Sequence, residues 1–188
     1  MLYNIFISLM IVLNWNGSNH SRVKTDENKI AWHENNQLSW DDYQGRPILN
    51  GKFNAESSLQ ISYRLGITKQ NDDVKINFTV NCLFDKESSW VNPKNKTNML
   101  LEHEQLHFDI AEVYARRLRK KLSESKFTIK NYKSKSSDIF DHNFKDYQKF
   151  QAYYDAETNH GIKQMKQTIW NKKVKTLLKM SSRDTETK

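Results

Sequence analysis

The segment from Thr97 to Lys121, TNMLLEHEQLHFDIAEVYARRLRKK, decides how this chain is organised. Apolar residues and histidines recur in it at steps of three and four, the spacing that places side chains on one face of a helix. The residues on that face are Leu100, His103, His107, Ile110, Tyr114 and Leu118. Thr97 or Asn98 can cap the start of such a helix, and the basic run that begins at Arg116 suits its negative end. We therefore predict a long helix that begins near residue 97.

Two segments with alternating apolar and polar residues precede the helix, at 55–66 and 74–84. This alternation is typical of strands with one buried face, and the polar loop at 69–73 between them predicts a strand, a turn and a strand. The apolar positions are Leu59, Ile61, Tyr63 and Leu65 in the first strand, and Val74, Ile76, Phe78, Val80 and Cys82 in the second. Residues 85–97, which contain Pro93, are typical of a loop.

A second helical region is predicted after a Ser- and Lys-rich connector at 123–137. Residues 138–180 are typical of one long helix or of two consecutive helices, with Gly161 as the point of interruption. The predicted fold class is α+β: a small antiparallel sheet, then an active-site helix, then a long C-terminal helical region. We expect one domain at 30–180, a flexible lead-in at 19–29 and a flexible tail at 181–188.

The first 18 residues resemble a signal peptide. Residues 1–13 are almost entirely apolar and too few to span a membrane comfortably, and polar residues follow from Asn14. No Lys or Arg precedes the apolar run, which departs from the usual pattern. We expect a secreted or periplasmic protein with no transmembrane segment after the signal is removed. The single cysteine, Cys82, excludes an internal disulfide and is expected to be a small buried thiol.

Almost all of the net charge of +8 lies in the helical half of the chain. Residues 1–96 hold 11 basic and 10 acidic side chains, whereas residues 97–188 hold 19 and 12. A basic helical surface is most simply a solvated face, and an anionic cell-envelope partner is the alternative. No nucleic-acid partner is expected, because the chain contains no recognition motif for one.

The segment His103-Glu104-Gln105-Leu106-His107 contains the residues that indicate a metal site and a catalytic function. Two histidines four residues apart on a helix project from the same face and can bind one zinc ion. Glu104 lies beside the first histidine, where its carboxylate can reach a water on the metal rather than the metal itself. Zinc lowers the pKa of such a water to about 7, so Glu104 can accept its proton and later protonate a leaving amine.

The helix motif does not supply the third ligand, although a catalytic zinc site usually has three protein ligands and one open position. We predict His160, with Glu157 or Asp155 as the competing ligand, and any of the three can instead orient an imidazole. Gly161 allows another backbone or a substrate to come close. Glu112 points away from the histidine face, which indicates a surface or supporting position.

A zinc hydrolase also needs a group that stabilises the developing oxyanion. Tyr154 is the predicted residue, with Tyr153 and His142 as alternatives. An extended peptide substrate is expected to add to a sheet edge, and the strand at 74–84 is the one proposed for this role.

Three blocks of the chain resemble a family of bacterial proteins of unknown function that are described as predicted secreted zinc-dependent proteases. The resemblance implies a zincin-like fold with a Zn²⁺ cofactor, with His103 and His107 as ligands, His160 as the third ligand and Glu104 as the catalytic base. The Gly and third His that follow the helix motif in metzincins are missing, and the Glu-containing second helix of gluzincins is not matched. The matching blocks are residues 38–45 (LSWDDYQG), 101–112 (LEHEQLHFDIAE) and 154–161 (YDAETNHG), with Gln167 and Trp170 beyond them.

Two functions are consistent with these features. The leading interpretation is a zinc metallopeptidase that acts on a peptide or protein substrate. The alternative is a catalytically inactive, metal-containing binding module of the cell envelope. Replacing Glu104 distinguishes the two, because an enzyme should keep its metal and lose hydrolysis.

Overall fold

A computed structural model of the chain describes residues 27–48, 51, 53–70 and 73–186. The predicted signal peptide and most of the predicted lead-in lie outside the described residues. The strands are β1 (Lys29–Ala31), β2 (Ala55–Glu56), β3 (Leu59–Gln70), β4 (Asp73–Asp85) and β5 (Trp90–Val91). The α-helices are α1 (Asn98–Glu124), α2 (Tyr132–Thr158) and α3 (Gln164–Glu186), and short 3-10 helices cover Trp40–Asp42 and Pro93–Asn95.

The main sheet is the predicted strand, turn and strand with one short strand added. β3 and β4 pair antiparallel from Leu59↔Phe84 to Gln70↔Asp73, and β1 joins the other edge of β4, so the strand order is β1-β4-β3. The predicted alternation is confirmed at the positions that face the core. Those buried side chains are Leu59, Ile61, Tyr63, Leu65, Val80 and Cys82, joined by Phe84.

A second sheet consists of two short strands, one just before the β3–β4 hairpin in the chain and one just after it. β2 pairs antiparallel with β5, with Ala55 opposite Val91 and Glu56 opposite Trp90. The prediction of one strand from 55 to 66 was wrong at its start, because the pairing changes partner between Glu56 and Leu59. The predicted loop at 85–97 likewise contains β5.

Helix α1 occupies the centre of the molecule. It begins where predicted, and the Thr97 hydroxyl accepts a hydrogen bond from the backbone N–H of Leu100 at 3.2 Å. It contacts β3 and β4 as well as α2 and α3. Side chains all around α1 are therefore buried, and Phe108, Ile110 and Leu118 have no exposed surface. The predicted apolar face is only part of this buried surface.

The second helical region is two helices rather than one. α2 ends at Thr158, and Asn159, His160 and Gly161 then take φ values of 50°, 53° and 81°. The backbone N–H of His160 donates to Asp155 O at 3.0 Å, and that of Lys163 donates to Thr158 O at 2.8 Å, which completes the turn into α3. A Cβ on Gly161 would lie 2.9 Å from the Cβ of His103, so the predicted close approach is between the Gly161 backbone and the His103 side chain.

Two charged features of α1 are structural. Glu112 is buried and forms ion pairs with Arg116 at 2.9 Å and Arg119 at 2.8 Å, and Arg119 also donates to the backbone oxygen of Val80. Part of the basic run thus forms ion pairs with a buried carboxylate.

Cys82 is buried, as predicted. Across the described residues, none of the helices is both long and apolar enough to cross a bilayer.

Candidate metal centre

Three side-chain atoms converge between α1 and α2. The Nε2 atoms of His103 and His107 are 3.1 Å apart, and they lie 3.2 and 3.0 Å from Oδ1 of Asp155. A tetrahedral ion with bonds of about 2.0–2.1 Å separates two of its ligand atoms by about 3.3 Å. These residues therefore form a possible metal-binding triad, and Asp155, one of the two alternatives to His160, is its third member.

The hydrogen bonds behind the imidazoles leave the two Nε2 atoms available for a cation. Nδ1 of His103 lies 3.2 Å from Oε1 of Gln167, and Nδ1 of His107 lies 2.6 Å from Oε1 of Gln151. An amide oxygen accepts hydrogen bonds, so each imidazole carries its proton on Nδ1. Two nitrogen lone pairs and a carboxylate oxygen then face one another, an arrangement that needs a positive charge between them. The donor set fits a divalent metal ion.

Gln151 is held by groups of the protein interior. Its Nε2 donates to the backbone oxygen of His107 at 3.0 Å and to the hydroxyl of Tyr147 at 3.0 Å. Burial raises the pKa of Tyr147, so this hydroxyl keeps its proton. The backbone oxygen can only accept, which orients the amide with Oε1 toward His107.

Gln167 supports His103 in a similar manner from α3. Its Nε2 donates to the hydroxyl of Tyr154 at 2.8 Å and to Oδ1 of Asn171 at 2.9 Å. Gln167 is 1% exposed, so its amide has little access to water and depends on these partners. The resemblance included Gln167, but its contact with a ligand was not predicted.

The pKa of His107 reflects its position in the triad. Burial lowers the pKa, but the Asp155 carboxylate and its hydrogen bond outweigh burial, with smaller contributions from Glu104 and Gln151, and raise it to about 9. In the metal-free protein a proton can therefore supply the positive charge that the triad needs.

Glu104, the predicted base, lies beside the triad without belonging to it. It is 5% exposed, and its Oε2 accepts a hydrogen bond from the hydroxyl of Ser57 at 2.6 Å. The hydroxyl of Tyr43 lies 2.8 Å from that of Ser57. Burial, followed by the charge of Glu104, raises the pKa of Tyr43 well above 10, so Tyr43 stays protonated and can donate. Neither supporting residue was predicted.

A cavity of about 690 Å³ opens beside the triad and is lined by all three of its residues and by Glu104. Its walls also include residues 53–59. The described residues that line it include no Lys or Arg. Its apolar walls include Phe53, Leu59, Trp90, Leu100 and Ile162.

His160 was predicted as the third ligand, whereas the third member of the possible triad is Asp155. Asp155 is inside α2, whereas the backbone of His160 has already left the helix. Nδ1 of His160 is 3.5 Å from Oδ1 of Asp155, and its ring packs against Phe53 with centroids 5.0 Å apart. The side chain is half-exposed and lines the cavity. His160 is thus a neighbour of the triad. The other alternative, Glu157, pairs with Lys166 at 3.1 Å.

Tyr154 was predicted to face the reacting group, but its side chain is fully buried. Its ring stacks on that of His103 with centroids 4.7 Å apart, and its hydroxyl bonds to Gln167 and lies 3.2 Å from the backbone oxygen of His103. Tyr154 is not part of the cavity lining, so it packs behind the triad rather than facing the cavity. The two alternatives, Tyr153 and His142, are also outside that lining.

A pattern of buried polar residues marks the side of α2 that faces the histidines of α1. Gln151, Tyr154, Asp155 and Thr158 follow the i, i+3, i+4, i+7 spacing, and all four are buried. A buried polar face on a helix requires partners, and the histidines of α1 are among them.

Comparison with known proteins identifies the chain at the level of its family. No curated protein and no solved structure matches it. The family model for "Bacterial protein of unknown function (DUF922)" matches residues 42–161, which is more than half of the chain and includes Glu104 and the whole triad. The chain therefore belongs to the bacterial family DUF922.

Proposed function

We propose that the protein is a zinc-dependent hydrolase, specifically a secreted metallopeptidase. The observation that carries this proposal is the position of Glu104, whose carboxylate lies beside a three-residue metal-binding triad and lines the same cavity without joining the triad. Two imidazoles and a carboxylate are a donor set that suits zinc, and three protein ligands leave one position open for water or substrate. A bound zinc ion would supply a Lewis acid and an acidified water.

Glu104 performs the proton transfers in this proposal. Its Oε2 is engaged by Ser57, which leaves Oε1 to accept a proton from the attacking water and to return it to the leaving nitrogen. Ser57 and Tyr43 hold the carboxylate in one orientation. The apolar walls of the cavity limit the water around the reacting groups.

The edge of β2 supports a peptide as the substrate. Asn92 donates to Asn54 O at 2.7 Å, so in this antiparallel pair the backbone groups of Asn54 and Glu56 face β5, whereas those of Ala55 and Ser57 face away from it. Within the described part of the chain, the backbone groups of Ala55 and Ser57 have no hydrogen-bond partner. An extended peptide can add to this edge, which lines the cavity beside Glu104.

We prefer this edge to the predicted strand at 74–84, because among the described residues β4 contributes nothing to the cavity lining.

The test is replacement of Glu104 by Gln, assayed on a mixture of unfolded polypeptides and fluorogenic peptides. We expect zinc content to be unchanged and the hydrolysis rate to fall by roughly 10²–10⁴-fold. Glu124→Gln is the matched control, because it makes the same chemical change at the exposed end of the same helix. A wild-type protein that binds no zinc, or an E104Q variant with full activity, would contradict the proposal.

One observation favours the inactive binding module as a second candidate. His160 is close enough to Asp155 that a small movement can bring a fourth protein ligand to the ion. Four protein ligands close a zinc site and are typical of structural metals. X-ray absorption spectroscopy of the zinc-loaded protein distinguishes the two, since scattering from the imidazole rings would indicate two histidine ligands in the hydrolase and three in the closed site.

A further inference from the structure

A row of polar side chains connects the triad to the protein surface. Asn171 Nδ2 donates to Oε1 of Glu102, and Oδ1 of Asn171 accepts from Nε2 of Gln167 at 2.9 Å. Oε1 of Gln167 then lies 3.2 Å from Nδ1 of His103. Glu102 is exposed, whereas His103 is 2% exposed. The row therefore begins in solvent and ends at a buried ligand of the proposed metal ion.

The Tyr154 hydroxyl lies 2.9 Å from Oε1 and 2.8 Å from Nε2 of Gln167, so it can serve either orientation of that amide. The direction of the row is therefore determined by its exposed end. A carboxylate accepts hydrogen bonds and donates none, so Asn171 must turn its NH₂ group toward Glu102 and its oxygen toward Gln167. Gln167 must then turn its NH₂ group toward Asn171 and its oxygen toward His103. The imidazole of His103 consequently carries its proton on Nδ1, which leaves the Nε2 lone pair directed at the triad.

We propose that Glu102 is a positioning residue that selects the metal-binding tautomer of His103 through Asn171 and Gln167. This inference rests on the metal-binding part of the proposed function and is independent of hydrolysis. The proposed row makes the affinity of a buried site depend on a surface carboxylate that does not contact the metal.

The other imidazole provides an internal comparison. Gln151, which supports His107, is oriented by the backbone oxygen of His107 and by Tyr147, both within the protein. Substitutions at Glu102 should therefore change the tautomer of His103 and leave that of His107 unchanged.

Glu102→Lys is the most informative variant, because an ammonium group donates and cannot accept. It should reverse both amides and move the His103 proton to Nε2, the atom that would bind the metal. We expect zinc affinity to fall by roughly 10–100-fold. Glu102→Gln should have a smaller effect, since its amide oxygen can still accept from Asn171. Glu124→Lys is the control, because it changes the charge of α1 by the same amount at an exposed position near its end.

A second substitution shows whether Glu102→Lys lowers zinc affinity through the proposed row or through repulsion between the lysine and the metal ion. Asn171→Leu interrupts the row, so adding Glu102→Lys to it should cause little further loss of zinc affinity. Repulsion between a lysine and the metal ion would persist in the double variant. The proposal would be overturned if Glu102→Lys lowered zinc affinity equally in the wild type and in the Asn171→Leu variant. It would also be overturned if E102K had wild-type zinc affinity.

The nitrogen chemical shifts of the histidines provide a readout that requires neither metal nor activity. In metal-free protein in neutral buffer, ¹⁵N NMR should show the neutral form of His103 protonated on Nδ1 in the wild type and on Nε2 in E102K. Identical His103 tautomers in the two proteins would contradict the inference. A wild-type protein that binds no zinc would contradict the proposed metal centre instead, and this NMR comparison would still test the row.

Discussion

At the residue scale, the proton on His107 competes with the proposed metal ion. Burial lowers the pKa of His107, but the Asp155 carboxylate dominates the balance and raises it to about 9. Below that pH a metal must displace this proton. We expect zinc affinity, measured by competition with a chromophoric chelator, to rise about tenfold per pH unit up to about pH 9 and then to level off. An affinity that is flat between pH 7 and about 9 would contradict the assigned pKa.

The same proton makes the stability of the metal-free protein depend on pH. Because the pKa of His107 is raised on folding, its contribution is fully present below about 6.5, the value for the unfolded chain, and is lost as pH rises through about 9. Urea unfolding in the presence of a chelator should show stability decreasing over this interval. The variant His107→Gln should lack this component, which separates it from the titration of other groups.

Gly161 is the second residue whose role is specific enough to test. Its φ is 81°, and a Cβ at this position would lie 2.9 Å from the Cβ of His103, so any side chain is costly here. Gly161→Ala should destabilise the protein by about 1–3 kcal/mol and weaken zinc binding, because His103 must move. Gly66→Ala is the control, since a Cβ there meets nothing within 4 Å. Equal unfolding free energies for the two variants would show that the turn can relax.

The spacing of two histidines and one glutamate indicated the candidate site, whereas Asp155 was predicted only as an alternative to His160, for a geometric reason. His103, Glu104 and His107 lie on one regular helix, so their directions follow from residue number alone. His160 was preferred to Asp155 by residue type. That choice overlooked the end of α2 at Thr158, after which helical spacing no longer predicts direction.

At the scale of elements, the central helix and the long hairpin follow from periodicity, but the arrangement of residues 55–58 does not. The alternating positions of β3 and the cap of α1 depend on local patterns. The two residues of β2 instead pair with β5, more than thirty positions away. This long-range pairing brings Ser57 to Glu104, and no local pattern encodes it.

Ser57 provides the test at this scale. Ser57→Ala removes the hydrogen bond that orients Glu104, so kcat should fall by about tenfold while zinc affinity and KM change little. Ser58→Ala is the neighbouring control, because Ser58 contacts Ser89 through its backbone N–H rather than its side chain. If both variants retained wild-type kcat, the connection between β2 and Glu104 would have no catalytic role.

At the scale of the whole molecule, the triad joins two elements that are distant in sequence. His103 and His107 belong to α1, and Asp155 belongs to α2. The contacts between these helices include the aromatic stacking of Tyr154 on His103 and the hydrogen bond between Gln151 and His107, both directly behind the triad. An ion at the triad would thus bind the folded chain and not the unfolded one.

This coupling predicts that metal stabilises the entire domain. A ligand present at a thousand times its Kd stabilises the folded state by about 4 kcal/mol, which for a chain of this length raises Tm by roughly 10 °C. Differential scanning calorimetry should therefore show a higher Tm with zinc than with chelator, and Asp155→Ala should abolish most of the difference. Glu157→Ala, on the same helix but paired with Lys166, should retain it. If zinc left the wild-type Tm unchanged, α1 and α2 would be held together by packing alone and the triad would not be a metal site.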